Sequence, residues 1–133
     1  VAAAPMILLD SDIMIDLLRQ YPPAVHWFDL LDEEEQVLLP GYTVMELMQG
    51  CRNQSELTQL QETIEPCAIV WPLPDHCDTA LALFSEYRLS HQPGMLDILI
   101  GQTAVSLGLP LHTFNQKHFS CIPGLQTVQP YRK

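Results

Sequence analysis

Basic residues are scarce in this sequence, which has six Lys and Arg against 16 Asp and Glu in 133 residues. The formal net charge of −10 argues against a broad basic surface that binds nucleic acids regardless of sequence. It favours a basic protein partner or a site that collects divalent cations. The acidic run Asp32–Glu35 is interpreted as a solvated helix end.

Long apolar runs are also missing. No stretch approaches the roughly 20 apolar residues of a membrane span, so no membrane association is expected. No charged segment followed by an apolar one indicates a signal peptide. The four cysteines form no C-x-x-C pair, which argues against a zinc knuckle, and reduced buried thiols in a cytoplasmic protein explain them better.

Several well-known catalytic motifs are absent. The sequence contains no G-x-x-x-x-G-K-[ST] phosphate loop, no G-x-S-x-G nucleophile turn and no H-E-x-x-H zinc motif. The 47% of hydrophobic residues is enough for one core, so residues 6–133 are predicted to form a single domain. Residues 1–5 carry no pattern, and we expect a vector-derived remnant or disorder there, with the native start at Met6.

Short apolar runs that end at turn residues predict five strands: Met6–Leu9, Val37–Leu39, Ala68–Trp71, Leu111–Thr113 and Thr127–Val128. Helical spacing and capping residues predict six helices: Ile13–Gln20, Ala24–Glu34, Thr43–Met48, Gln54–Thr63, Asp75–Leu89 and Met95–Leu107. Ser11 or Asp12 is expected to cap the first helix, Asp75 to cap the fifth and Gly108 to end the last. Strands that alternate with helices predict an α/β fold, a mostly parallel sheet with helices on both faces.

Three acidic residues interrupt apolar segments. Asp10 follows the first strand directly, Glu46 breaks the apolar pattern of the third helix, and Asp97 lies in the first turn of the last helix. Ligands of open parallel sheets bind beyond the carboxyl ends of the strands, where these acids and Asn115 can meet. Oxygen ligands select hard cations such as Mg²⁺ or Mn²⁺, which support phosphodiester hydrolysis.

Each acid alone also has an ordinary explanation. Asp10 could be a turn residue, Glu46 a solvent-facing helix residue, and Asp97 an acid favoured by the helix dipole. Asp12 is interpreted as a helix cap rather than a ligand. The three aromatic residues Trp27, Phe28 and Trp71 are interpreted as core or partner contacts rather than as platforms for base stacking.

Four segments together resemble the motifs of PIN-domain ribonucleases, most closely the VapC-like toxins of bacterial type II toxin–antitoxin pairs. They are Leu8–Ile15 (LLDSDIMI), Val44–Gly50 (VMELMQG), Leu96–Gly101 (LDILIG) and Leu111–Phe119 (LHTFNQKHF). The likeness extends over nearly the whole chain and implies a three-layer PIN-like fold with a short sheet of about five strands.

The resemblance also implies functional residues. Asp10 and Asp97 would bind Mg²⁺ or Mn²⁺, and Glu46 would be a further ligand or would position the attacking water. Asn115 occupies a position where the family often has a fourth acid, so a second metal should bind less well. Thr113 matches the motif's threonine and would support the site by hydrogen bonding. Lys117 and His118 are interpreted as ordinary loop residues.

The same resemblance implies the partners. The substrate would be RNA, with transfer RNA one candidate, and a cognate antitoxin would hold the protein inactive and would itself contact operator DNA. A homodimer is expected, and the helices Val44–Cys51 and Gln54–Thr63 are predicted to line the groove for the partner.

Two functions other than a ribonuclease toxin are compatible with part of this pattern. A degenerate PIN fold would serve only as a binding module, with Asn115 as the sign of decay. A haloacid-dehalogenase-like phosphatase would use Asp10 and Asp12 as its aspartate pair, but Lys117 is followed by no acidic residue, as that chemistry requires.

Overall fold

The computed structural model describes residues 5–133, so the expectation for residues 1–5 lies, except for Pro5, outside the described residues. The strands are β1 Met6–Leu9, β2 Gln36–Pro40, β3 Ala68–Val70, β4 Leu111–His112 and β5 Thr127–Val128. The helices are α1 Ser11–Leu18, α2 Pro22–Asp29, α3 Gly41–Gln49, α4 Gln54–Ile64, α5 Pro74–Tyr87 and α6 Met95–Leu107, with a short 3-10 helix at Gln116–Phe119.

The five strands form one sheet in the order β3-β2-β1-β4-β5, and every neighbouring pair is parallel. Side chains along a strand point alternately to the two faces. Leu8 accordingly packs into a core with α5 and α6, whereas Ile7 and Leu9 pack into a second core with α1, α3 and α4. The predicted α/β fold, a parallel sheet between two helical layers, is therefore confirmed.

Helix α6 is buried for most of its length, as its apolar sequence predicts. A Cβ atom at Gly101 would overlap the side chain of Ile122, so glycine permits the close packing there. Gly108 ends the helix in the left-handed conformation, with φ of 66°, which confirms its predicted role.

Several predicted helix boundaries were wrong. Helix α1 begins at Ser11 and is capped by Asp10, because the Asp10 carboxylate accepts a hydrogen bond from the Ser11 amide. Helix α2 ends at Asp29, so the run Asp32–Glu35 belongs to a loop before β2 and is not a helix end. Helix α5 begins at Pro74, and no side chain caps it.

Two observations bear on the environment of the chain. No helix within residues 5–133 combines the length and the apolar character that crossing a bilayer requires. The four cysteines are all free thiols, but only Cys121 is buried and the others are half-buried.

Candidate active site

Asp10 lies at the centre of the site, at the carboxyl end of the middle strand β1. Its side chain is 3% exposed. One carboxylate oxygen, Oδ1, accepts a hydrogen bond from the Ser11 amide at 2.7 Å, and the other, Oδ2, accepts one from the Thr113 hydroxyl at 2.8 Å. The Asp10 amide donates to the His112 carbonyl at 3.0 Å, which joins the end of β1 to β4. Both oxygens of this carboxylate therefore have fixed orientations.

Asp12 lies beside Asp10. The N-cap of α1 is Asp10, so the predicted role of Asp12 as the cap was wrong, although Asp12 Oδ1 accepts a hydrogen bond from the Ile13 amide in the first turn at 2.9 Å. Its Oδ2 accepts a hydrogen bond from the Phe114 amide at 2.8 Å and lies 3.4 Å from the Thr113 hydroxyl. The Thr113 hydroxyl is thus within hydrogen-bonding distance of both acids. Because Phe114 follows Asp12 by 102 positions, no local sequence signal predicts this contact.

Glu46 reaches the site from α3, which begins immediately after β2. Its Oε1 accepts a hydrogen bond from the hydroxyl of Ser11, the residue whose amide also binds Asp10. The side chain is half-buried. Ser11 therefore connects Glu46 with Asp10, as the placement of both acids beyond the carboxyl ends of neighbouring strands predicts.

Asp97 occupies the first turn of α6 and faces a different neighbour. His118 Nδ1 lies 3.8 Å from its Oδ2, and the Gly94 backbone donates a hydrogen bond to the carboxylate. Between residues 5 and 133, no hydrogen bond or salt bridge joins Asp97 to Asp10 or Glu46. His118 therefore lies next to a predicted metal ligand, although its side chain is exposed.

Asn115 is exposed just beyond β4. The backbone amide of Asn115 donates a hydrogen bond to the Thr113 hydroxyl at 3.0 Å. Thr113 is fully buried, and its hydroxyl thus links Asn115 with Asp10 and Asp12. This arrangement agrees with the predicted supporting role of Thr113.

Burial and neighbouring charges make ionisation of the Asp10 carboxyl costly. The pKa of Asp10 is raised to about 7, chiefly by burial and then by the nearby charge of Asp12, with a smaller contribution from Glu46. Burial also raises the pKa values of Asp12 and Asp97, and His118 opposes the rise at Asp97. A buried carboxylate between two others is costly unless a cation is close.

The donor set suits a hard cation. Around Asp10 it offers carboxylate oxygens and no sulfur ligand, which is the chemistry that Mg²⁺ and Mn²⁺ prefer. In the part of the chain that the structure describes, however, no three His, Cys, Asp or Glu side chains are arranged as a complete metal site. Mg²⁺ tolerates this, because it commonly uses one or two carboxylates together with waters and substrate phosphates.

A groove of about 540 Å³ opens beside Glu46, between α1, α3 and α4. Its walls mix apolar and charged side chains, and Arg19 and Arg52 line it together with Glu46. Arg52 is paired with Glu56 at 3.0 Å. The groove includes residues from both helices that the sequence predicts as a partner surface.

Comparisons with known proteins agree with this fold. The family model of the PIN domain matches residues 7–124. Ribonuclease VapC19 of Mycobacterium tuberculosis (strain CDC 1551 / Oshkosh) is 35% identical over 126 residues, which is 91% of this chain and 98% of that protein.

Solved structures of toxin–antitoxin complexes have the same fold. VapBC-1 from nontypeable Haemophilus influenzae matches with a TM-score of 0.75 and 23% identity, covering 94% of this chain and 98% of that one. A toxin–antitoxin complex from Klebsiella pneumoniae matches with a TM-score of 0.72 and 28% identity, covering 96% and 99% of the two chains. The predicted fold class is thus supported by sequence and by structure.

Proposed function

Because this chain belongs to the PIN-domain family, we propose that it is a Mg²⁺- or Mn²⁺-dependent endoribonuclease and the toxin of a type II toxin–antitoxin pair. The observation that carries the proposal is the buried carboxylate of Asp10, held between Asp12 and Glu46 at the carboxyl edge of the sheet. A divalent cation would offset the repulsion among these charges. The similarity to Ribonuclease VapC19 supports RNA as the substrate.

We assign the roles of the residues from the resemblance to the family. Asp10 and Asp97 would hold the metal, which when bound activates a water and neutralises charge that develops on the scissile phosphate. Glu46 would be a further ligand or would orient that water. Thr113 and the Ser11 amide fix the two oxygens of Asp10, so this carboxylate keeps its direction when a substrate arrives.

Asn115 supplies a neutral amide where a fourth acid would add a negative charge. The site therefore has one charge fewer with which to hold a second cation, so we expect one metal to bind firmly and a second weakly. RNA cleavage would then proceed without a tightly bound metal pair.

Cleavage of end-labelled RNA, including transfer RNA, tests the enzymatic proposal. The wild-type protein should cut internally with Mg²⁺ or Mn²⁺ and stop when EDTA is added. Asp10→Asn should reduce the rate at least a hundredfold, whereas Asp78→Asn, on the exposed surface of α5, should leave it unchanged. Equal inertness of wild type and Asp10→Asn, without metal binding by calorimetry, would contradict the proposal.

The groove between α1, α3 and α4 is the proposed site of the antitoxin. The net charge of −10 favours a basic segment, and the solved VapBC structures are complexes of related folds with their partners. A cognate antitoxin should copurify with the protein on co-expression and inhibit RNA cleavage. Operator DNA would be bound through that antitoxin, and the toxin itself would be a cytoplasmic homodimer.

A pure binding module is the second candidate. Asn115 and the lack of a complete three-ligand set within residues 5–133 favour it. Such a module would bind RNA or the antitoxin without cutting RNA under any divalent metal. The same cleavage assay therefore separates the two functions.

A further inference from the structure

Trp71 is not a core residue, and the strand that it follows, β3, is an edge strand with no fully buried residue. Its side chain is 51% exposed. It follows β3 directly, so it lies at the carboxyl edge of the sheet, where Asp10 follows β1. A large exposed aromatic residue at this edge calls for an explanation.

The register of the sheet places Trp71 close to the candidate active site. Leu8 is level with Leu38, and Leu38 is level with Ala68, so by the same register Asp10 is level with Val70, and Trp71 lies one residue further along. The two strands are separated only by β2, which corresponds to a lateral distance of about 10 Å. Trp71 therefore lies within reach of an RNA strand whose phosphate is bound at this edge of the sheet.

The indole ring is held in place by its neighbours. A Cβ atom at Gly41 would overlap the ring, so Trp71 rests directly against the backbone at the start of α3. The ring of Tyr42 meets it edge to face, with centroids 5.1 Å apart and an interplanar angle of 84°. An aromatic side chain fixed in this way loses little rotational freedom when a flat ligand stacks on it.

We propose that Trp71 stacks on an unpaired RNA base next to the scissile phosphate and so contributes to substrate selection. This inference rests on the proposed ribonuclease function. The protein has few cations for backbone contacts, with six Lys and Arg in all, so a sequence-tolerant stacking contact would supply binding energy that charge does not.

Steady-state cleavage of short single-stranded RNA tests the proposal. Trp71→Ala should raise KM about tenfold, as expected for one lost base stack, and leave kcat within about twofold. Trp71→Phe should recover most of the affinity because it keeps an aromatic face, whereas Trp71→Leu should not. Phe28→Ala is the matched control, since Phe28 is an exposed aromatic residue that adjoins Gln36 and Val37 at the opposite, amino-terminal edge of the sheet.

Substrates that lack one base provide a sharper test. Removal of the stacked base should weaken RNA binding by the wild type about as much as Trp71→Ala weakens binding of the intact RNA. It should not further weaken RNA binding by the Trp71→Ala variant. In a Trp27→Phe background, RNA should quench the fluorescence of Trp71, which reports stacking without requiring cleavage.

Two results would overturn the inference, and a third would retain base stacking while removing the proposed function. An unchanged KM for Trp71→Ala together with no quenching would exclude stacking while the ribonuclease function stands. If Trp71→Ala shifts the protein from dimer to monomer in sedimentation and leaves KM unchanged, Trp71 belongs to an interface between copies of the chain. Wild-type protein that quenches with RNA but never cuts it would remove the proposed function and leave base stacking as a property of a binding module.

Discussion

Replacement of Asp10 by Asn should stabilise the metal-free protein, although it should abolish activity. The Asp10 carboxyl has a pKa of about 7 in the folded protein and 3.8 as its reference value. The difference of about 3 between these pKa values corresponds to about 4 kcal/mol of lost folding stability at a pH above both values. Since the side chain is 3% exposed, solvent screening reduces this figure little.

The sign follows from proton binding. Between pH 4 and 7, the folded state binds the Asp10 proton more tightly than the unfolded state, so the free energy of unfolding falls as the pH rises through this range. Asn is neutral and removes the penalty. It keeps an oxygen for the Ser11 amide, and its NH₂ group can donate to the Thr113 hydroxyl, so about 1 kcal/mol at most should be lost from hydrogen bonding.

Urea unfolding followed by circular dichroism in EDTA measures the effect. At pH 8, the free energy of unfolding of Asp10→Asn should exceed that of the wild type by about 2–4 kcal/mol. Near pH 4, the two free energies should differ by less than about 1 kcal/mol. Asp78→Asn controls for the removal of an exposed charge. Saturating Mg²⁺ should stabilise the wild type and not the variant. An Asp10→Asn protein less stable than the wild type at pH 8, at equal denaturant slope, would refute the reasoning.

Three further substitutions test the surroundings of the site. Thr113→Val removes a buried hydroxyl that serves Asp10 and the Asn115 amide, and should lower the free energy of unfolding by about 1–3 kcal/mol in urea titrations. Asn115→Asp should tighten Mn²⁺ binding by calorimetry and allow a second ion to bind, and an unchanged stoichiometry and affinity would contradict this. Tyr131→Phe removes a hydrogen bond of 2.7 Å to Asp16 and should cost about 1 kcal/mol by the same titration, without affecting cleavage.

The sequence was informative where a signal is local. The apolar run that ends at Asp10, the helix that ends at Gly108 and the alternation of short strands with helices predicted the sheet and its functional edge. The end of α2 was missed because the acidic run Asp32–Glu35 has ordinary helix propensity, and nothing in it shows that the chain already turns towards β2.

Contacts between distant segments explain the other omissions. Asp12 was predicted to cap α1 because its distant hydrogen-bond partner, the Phe114 backbone amide, lies 102 residues away and leaves no local signal. The position of the Trp71 ring depends on glycine at position 41, where the ring packs against the backbone. Asp97 was expected to join the other acids, but the charged side chain next to it is His118, on the short 3-10 helix.

The separation between Thr113 and Asp10 also has a consequence during translation. The hydroxyl that orients the Asp10 carboxylate follows it by 103 positions, and β4, which pairs with β1, is made just before it. A nascent chain that still holds β4 in the ribosome therefore has β1 without one of its two neighbours and Asp10 without its hydroxyl donor. The segments that form α1, α3 and α4 emerge earlier, so under the proposed function an antitoxin would meet them before the site around Asp10 is complete.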